Sequence, residues 1–99
     1  MEVEYADTRL ALVESNRAAT DTKLPIAVIN AFRRKLVVLR AAPDERTLRN
    51  WKSLHYEKLR GDREGQRSIR LNDQFRMVFE LDEDTEPQTV TILSIEDYH

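Results

Sequence analysis

Three side chains able to act as acid, base or hydrogen-bond donor stand in a row at Asp97, Tyr98 and His99. Imidazole, with an unperturbed pKa of about 6.5, exchanges a proton near neutrality. Taken alone, three polar residues at the end of a chain read first as a solvated tail. A second pair with chemical potential is Arg70 and Arg76, which flank the polar run Asn72-Asp73-Gln74. If the segment QRSIRLNDQFRMVFEL is a hairpin, a two-residue loop at Asp73-Gln74 would mix its two faces. A three-residue loop, Asn72 to Gln74, pairs 71 with 75, 70 with 76 and 69 with 77, and keeps every large apolar residue on one face. Arg70 and Arg76 then become neighbours on the face away from the core. Like charges directly opposed destabilise a sheet, and an anion or carboxylate between them would relieve this. The competing reading is surface charge, paired with Glu57, Glu80 or the C-terminal carboxylates.

The wider charge pattern agrees with a phosphate-touching middle. Residues 33–76 hold 13 basic and 6 acidic side chains, whereas residues 77–99 hold 7 acidic and no basic ones. A basic segment is the electrostatic footprint of a nucleic-acid binder, although a solvated basic face paired with the acidic end would look the same. The 99 residues allow one domain with a modest core, placed here over 1–99. No cysteine is present, which excludes disulfides and thiolate chemistry. Two histidines are too few for a metal site without carboxylate help. With two glycines and no Gly-rich loop there is no P-loop or dinucleotide fingerprint. No apolar run is long enough to span a bilayer, and MEVEYADTRL is not a secretory signal. The expectation is a cytoplasmic protein without membrane contact.

The elements that must position these groups follow from periodicity. Residues 3–6 alternate as a short strand. Asp7 or Thr8 caps a first helix with Leu10, Val13 and Leu12 inward. Residues 16–23 read as its end and a link, with Asp21 and Thr22 as caps for a second helix and Pro25 in its first turn. Val28, Phe32, Leu36 and Leu39, spaced four, four and three apart and widened by Ile29, make one apolar stripe. Arg33, Arg34 and Arg40 fall on other faces, and Pro43 ends the helix. Asp44 caps a further turn or two with Leu48 and Trp51 on one side. From residue 54 the period is two: Leu59 begins the sheet, the hairpin follows, 82–87 is an acidic turn, and 89–95 is a β-branched last strand. The fold class is α+β, an N-terminal strand and two helices packed on one face of an antiparallel sheet.

The pieces Leu59-Arg60-Gly61-Asp62-Arg63, Gly65-Gln66, Ser68 to Arg76 and Asp97-Tyr98-His99, in that order, resemble the core and C-terminus of the RelE/ParE superfamily. More narrowly they resemble its HigB branch, the plasmid maintenance system killer toxins. The resemblance covers Leu54 to His99; the first half agrees in layout only. It implies a RelE-like fold and a type II toxin that cuts messenger RNA in the ribosomal A site, a ribosome-dependent endoribonuclease. It also implies a helix-turn-helix (HigA-like) antitoxin, through which alone the protein would reach operator DNA. The family's reaction uses no metal and no cofactor: the ribose 2′-OH attacks the adjacent phosphate and the 5′-oxygen leaves. That requires a base, an acid and cations for the phosphate.

By this resemblance Arg76 holds the phosphate through a forked pair of hydrogen bonds, Tyr98 stacks on a base or donates to phosphate, His99 exchanges the proton, and Asp97 orients it or the RNA. Arg60, Arg63, Arg67, Arg70, Arg33 and Arg34 are the candidate RNA- and ribosome-binding cations. Many members carry a histidine four residues before the glycine that corresponds to Gly61. Here Glu57 occupies that position, with His55 two residues earlier. In an extended strand both point the same way, so either supplies the second proton-transfer group. Two other readings share the fold: a ParE-like inhibitor of DNA gyrase, which needs no proton-transfer residues, and an inactive relative that serves as a binding module. The 82–86 turn must lie away from the RNA if the nuclease reading holds, because a ribosome binder profits from a basic surface.

Overall fold

A computed structural model of the chain describes residues 1–15 and 24–98. The expected link over 16–23, with the caps Asp21 and Thr22, and the terminal His99 lie outside the described residues. The elements run β1 (Glu2–Tyr5), α1 (Thr8–Ser15), α2 (Ile26–Ala41), α3 (Glu45–Asn50), β2 (Glu57–Lys58), β3 (Gln66–Arg70), β4 (Phe75–Asp82) and β5 (Thr89–Asp97). Short 3-10 turns at Lys52–Leu54 and Gly61–Arg63 flank β2.

The stripe of α2 forms the centre of the core. Val28 and Ile29 are 1% exposed, and Phe32, Leu36 and Leu39 are fully buried. They pack in one cluster with Ile69, Met77, Phe79, Val90 and Ile92 of the sheet. Pro25 stands just before α2, one position earlier than expected, and its carbonyl accepts from the Val28 and Ile29 amides at 3.0 and 3.1 Å. Ala42, extended ahead of Pro43, stops the helix. The Met1 ammonium lies against this end, donating to the carbonyls of Leu39 and Arg40 at 3.1 Å and of Ala42 at 2.6 Å. It places positive charge where the helix dipole is negative.

In α1 the Asp7 carboxylate accepts the Arg9 amide at 2.9 Å as a cap, Val13 is buried and Leu10 packs on the core. Leu12 does not face inward as expected; it is 46% exposed, since an eight-residue helix buries only the narrow stripe through Val13. Asp44 caps α3 through the Thr47 amide at 3.2 Å. Trp51 was expected beside the buried Leu48 but is exposed, because α3 ends at Asn50 and the backbone there turns extended.

The sheet order is β1-β5-β4-β3-β2, antiparallel throughout except that β1 joins β5 in parallel at the edge. Sheet pairing starts two residues before Leu59, at Glu57. The β3–β4 hairpin has the three-residue-loop register: Arg70 opposite Arg76 and Ile69 opposite Met77, closed by the Leu71 amide on the Phe75 carbonyl at 2.9 Å. The loop is held from within by Asn72, whose side-chain oxygen accepts the Gln74 and Phe75 amides at 2.9 and 2.8 Å.

Charged pairs tie the layers together. Glu14 of α1 accepts from Arg40 of α2 and from the Tyr5 hydroxyl. Glu45, at the start of α3, accepts from the Tyr56 hydroxyl at 2.5 Å and from Arg67 of β3 at 3.1 Å, with Arg49 and Lys58 at 3.6 and 3.9 Å. Glu96 of β5 takes both ends of Arg63 and the Ser94 hydroxyl. The guanidinium of Arg40 holds the Glu14 carboxyl, and that of Arg63 the Glu96 carboxyl, below the usual 4.5. Burial opposes ionisation of Glu45, but the Tyr56 hydroxyl and the Lys58, Arg67 and Arg49 cations outweigh it.

Leu36→Ala should cost about 2–5 kcal/mol in urea unfolding, the range for emptying a fully buried leucine site. Arg9 also lowers the exposed Asp7 carboxyl, so of the four depressed carboxyls it is the partly buried Glu14, Glu45 and Glu96 that set the acid limit. Their stabilisation is fully present above the unfolded-state value and is lost as pH falls through the lower folded-state values. The urea midpoint should therefore hold from pH 7 to about 5 and drop below about 4.5. A Glu45→Gln variant should show a shallower fall.

Candidate functional site

The face of the sheet turned away from the helices is not bare. Ser68 is fully buried there and Arg76 is 8% exposed. Arg76 is the unusual group, because a guanidinium loses much hydration at this depth and needs acceptors on every side. Its Nε–H donates to the Ser68 hydroxyl at 2.8 Å, and Nη2 donates to the carbonyls of His55 and, at 3.4 Å, of Ser68. Its Cζ lies 5.5 Å from the centre of the Tyr98 ring, in reach of a cation–π contact. All these partners are neutral. Among the described residues Arg76 makes no ion pair, and its Nη1 donates to none of them.

Ser68 is placed by β3 register, opposite Val78 and diagonal to Arg76. His55 is placed by a turn. It closes the 3-10 turn at Lys52–Leu54 in the left-handed region, φ 48 and ψ 49, the one non-glycine residue at positive φ among those described. This overturns the expectation that His55 and Glu57 share an extended strand and point together. The left-handed turn presents the His55 carbonyl to Arg76, while its Nε2 lies 3.3 Å from Nη1 of Arg70. One residue therefore stands between the two opposed arginines, where an anion or carboxylate was expected. The expected carboxylate meets only one member of the pair: Arg70 forms an ion pair with Asp73, and it also donates to the Asn72 carbonyl at 3.2 Å.

The chain end is tied to the same hairpin. The Tyr98 amide donates to the Gln74 carbonyl at 2.7 Å, and Gln74 Nε2 donates to Asp97 Oδ2 at 2.9 Å. Residues as far as Tyr98 are thus strand and anchored extension rather than a loose tail. His55, Arg70, Asn72, Asp73, Gln74, Arg76 and Tyr98 line one shallow depression. Asp97 stays at the hairpin loop, registered opposite Phe75, on the alternate side from Glu96 and Arg76. Glu57 is exposed on the depression's side of the sheet, registered opposite Ser68. No described residue bonds its carboxylate.

The expected RNA cations separate into two groups. Arg60 is exposed beside a second shallow concavity with Lys58 and Gly61, and Arg34 is exposed on α2. Arg63, Arg67 and Arg33 are engaged by the protein itself. Arg63 is forked onto Glu96, and Arg67 is bound to Glu45 with Glu83 at 3.6 Å. Arg67 stands opposite Phe79 and so on the helical side. Arg33 donates to the Val13 carbonyl at 2.9 and 3.0 Å. Ser68 was not singled out from the sequence; a small polar residue in an apolar strand alternation, two positions before Arg70, is the signal that could have found it. The acidic turn after Asp82 joins the far ends of β4 and β5, seven residues along β4 from Phe75, roughly 24 Å at strand rise.

The comparisons with known proteins bear on this geometry. A family model described as RelE-like toxin of type II toxin-antitoxin system HigB matches residues 6–99. Toxin HigB-1 of Vibrio cholerae serotype O1 is 40% identical over 57 residues, 58% of this chain; the match spans 60% of the relative's length. Among solved structures, a YoeB/ParE toxin from Agrobacterium tumefaciens superposes with a TM-score of 0.60 at 14% identity over all of both chains. YafQ from Escherichia coli superposes with a TM-score of 0.63 at 11% identity, over 98% of this chain and 92% of that one. At such identities these structures establish the fold alone, and it is the sheet with its helix layer described above. No described helix is long and apolar enough to cross a membrane. With a family match over 6–99 and the RelE-like fold, the chain belongs to the HigB-like toxins of type II toxin–antitoxin systems.

Proposed function

We propose that this protein is a ribosome-dependent endoribonuclease that cuts messenger RNA in the A site of the 70S ribosome and so inhibits translation. The observation that carries the reading is Arg76: a nearly buried guanidinium held by neutral oxygens, without a carboxylate partner among the described residues. A cation so placed is completed by an anion, and Arg70 beside it supplies a second charge once a phosphate displaces the exposed Asp73 carboxylate from it.

In this reaction a base takes the proton of the ribose 2′-OH, the O2′–P bond forms and the P–O5′ bond breaks. The departing 5′-oxygen receives a proton from an acid. Arg76 and Arg70 hold the phosphate charge as it grows. Tyr98, 44% exposed above Arg76, offers a ring face to a base of the message. His99 follows it as proton donor or acceptor. Between the two candidates for the other transfer, the imidazole of His55 is engaged with Arg70, whereas Glu57 has no partner among the described residues. Glu57 is therefore assigned the role of base and His55 that of support. Exposed Arg60 and Arg34 contact RNA or ribosome. The protein works in the cytoplasm, and its partner is a cognate helix-turn-helix, HigA-like antitoxin.

Cleavage of a defined message on programmed ribosomes tests this. His99→Ala should lower kcat by about 10²–10⁴-fold, the usual contribution of an acid or base. Arg76→Ala should lower it by about 10²–10³-fold, as loss of a preorganised donor does elsewhere. Both variants should retain a folded far-UV spectrum. A wild-type protein that cuts at no codon, while inducing a DNA-damage response in cells, would replace this reading with gyrase inhibition.

A further inference from the structure

The socket of Arg76 depends on one backbone carbonyl in a left-handed turn, and something must hold that turn in place. His55 is exposed, and among the described residues its imidazole bonds only the partly exposed Arg70. The next residue is fixed far more firmly, on the other side of the sheet. The hydroxyl of half-buried Tyr56 donates to Glu45 at 2.5 Å, and its ring packs on Phe79 with centroids 6.4 Å apart. Glu45 is itself 8% exposed and gripped by Arg67 of β3. The peptide plane between His55 and Tyr56 carries the carbonyl that receives Arg76. It is bounded by the turn's bond from the His55 amide to the Lys52 carbonyl, 3.1 Å, and by the Tyr56 anchor. A tyrosine has only two side-chain torsions, so pinning its hydroxyl and ring leaves its Cα little freedom.

We propose that Glu45 and Tyr56 are positioning residues: their hydrogen bond on the helical side of the sheet fixes the His55 carbonyl and thereby seats Arg76 on the opposite side. This deepens the nuclease reading above and rests on it for the role of Arg76 in cleavage; the seating itself does not. Burial and the neighbouring Glu45 carboxylate push the Tyr56 phenol well above its ordinary value, so it remains a donor through the working pH range. The arrangement places α3, a helix that contributes nothing to the depression, in mechanical contact with the phosphate seat.

The test follows the Arg76 Nε–H by ¹⁵N NMR in the full chain, assigned by its loss in Arg76→Lys, beside cleavage kinetics on programmed ribosomes. The Arg63 Nε–H, bonded to Gln66 at 3.0 Å, serves as an internal reference. Tyr56→Phe keeps the ring on Phe79 and removes only the hydroxyl. It should speed exchange of the Arg76 Nε–H by about tenfold, with Arg63 unchanged, through local opening of the socket. It should also lower kcat about ten- to hundredfold at unchanged KM, the scale of a misplaced transition-state contact. Glu45→Gln, which retains an acceptor for Tyr56, should lower stability yet leave Arg76 exchange near wild type. Unchanged Arg76 exchange in Tyr56→Phe overturns the proposal. So does acceleration in both variants, shared by Arg63 and proportional to lost stability, because that is global loosening. Faster Arg76 exchange in a protein that cleaves no message upholds the positioning and sinks the nuclease reading instead.

Discussion

A guanidinium nearly removed from water, with only neutral partners among the described residues, constrains everything around it. Transferring such an ion inward costs several kcal/mol even after relaxation, while each hydrogen bond to a charged group returns about 1.5–3 kcal/mol. Arg76 is kept in place by bonds to Ser68 and His55, with the Tyr98 ring against it. Each partner has its own geometric requirement. Ser68 requires the β3–β4 register, His55 a left-handed turn, and Tyr98 a last strand that ends at the hairpin loop. A slip of one residue in the hairpin would turn Arg76 into the core and Met77 out of it. The apolar packing that buries Met77 is therefore also what holds the arginine on the opposite side.

The remaining charges divide by location, which reconciles a mildly acidic chain with the phosphate seat proposed for Arg76. Cations on the helical side and at the sheet edge are matched by carboxylates: Arg67 and Lys58 with Glu45, Arg40 with Glu14, Arg63 with Glu96. Those pairs stitch α1 to α2, α3 to the sheet, and the Gly61–Arg63 turn to β5. Acidic residues are concentrated in the turn after Asp82, at the opposite end of β4 from Arg76. Net charge thus says little about the field at the depression, where Arg70 and Arg76 lie within one cross-strand step of each other.

The left-handed conformation of His55 is a local strain of the kind that persists only when its surroundings over-determine it. Those surroundings come from both sides of the sheet: Arg76 and Arg70 on one, the Tyr56 anchor to Glu45 on the other. The loop that carries two candidate proton-transfer groups is consequently among the better-held parts of the surface. Its two members are also separated in place, since His55 faces cations while Glu57 stands two residues on, in the strand.

Patterns local in the chain were legible from the amino acids alone. The apolar stripe of α2, the Asp44 cap, the stop at Pro43 and the hairpin register all follow from periodicity and turn chemistry, which act over a few residues. The terminal motif and Arg76 were legible as a family resemblance. Contacts between residues distant in sequence were not. That Arg67 and Arg33 turn to the protein, that Ser68 receives Arg76, and that Tyr56 reaches Glu45 depend on packing of separate elements, to which periodicity is blind. The His55 turn was misread as strand because nothing in Leu54-His55-Tyr56 announces a positive φ; a tertiary bond to Arg76 decides it. From the amino acids alone the main apolar stripe and the distribution of charge along the chain could be read, though not the exposure of Leu12 and Trp51. Which charges neutralise one another, and which cation meets neutral oxygens alone among the described residues, was set by distances across the sheet that no local pattern encodes.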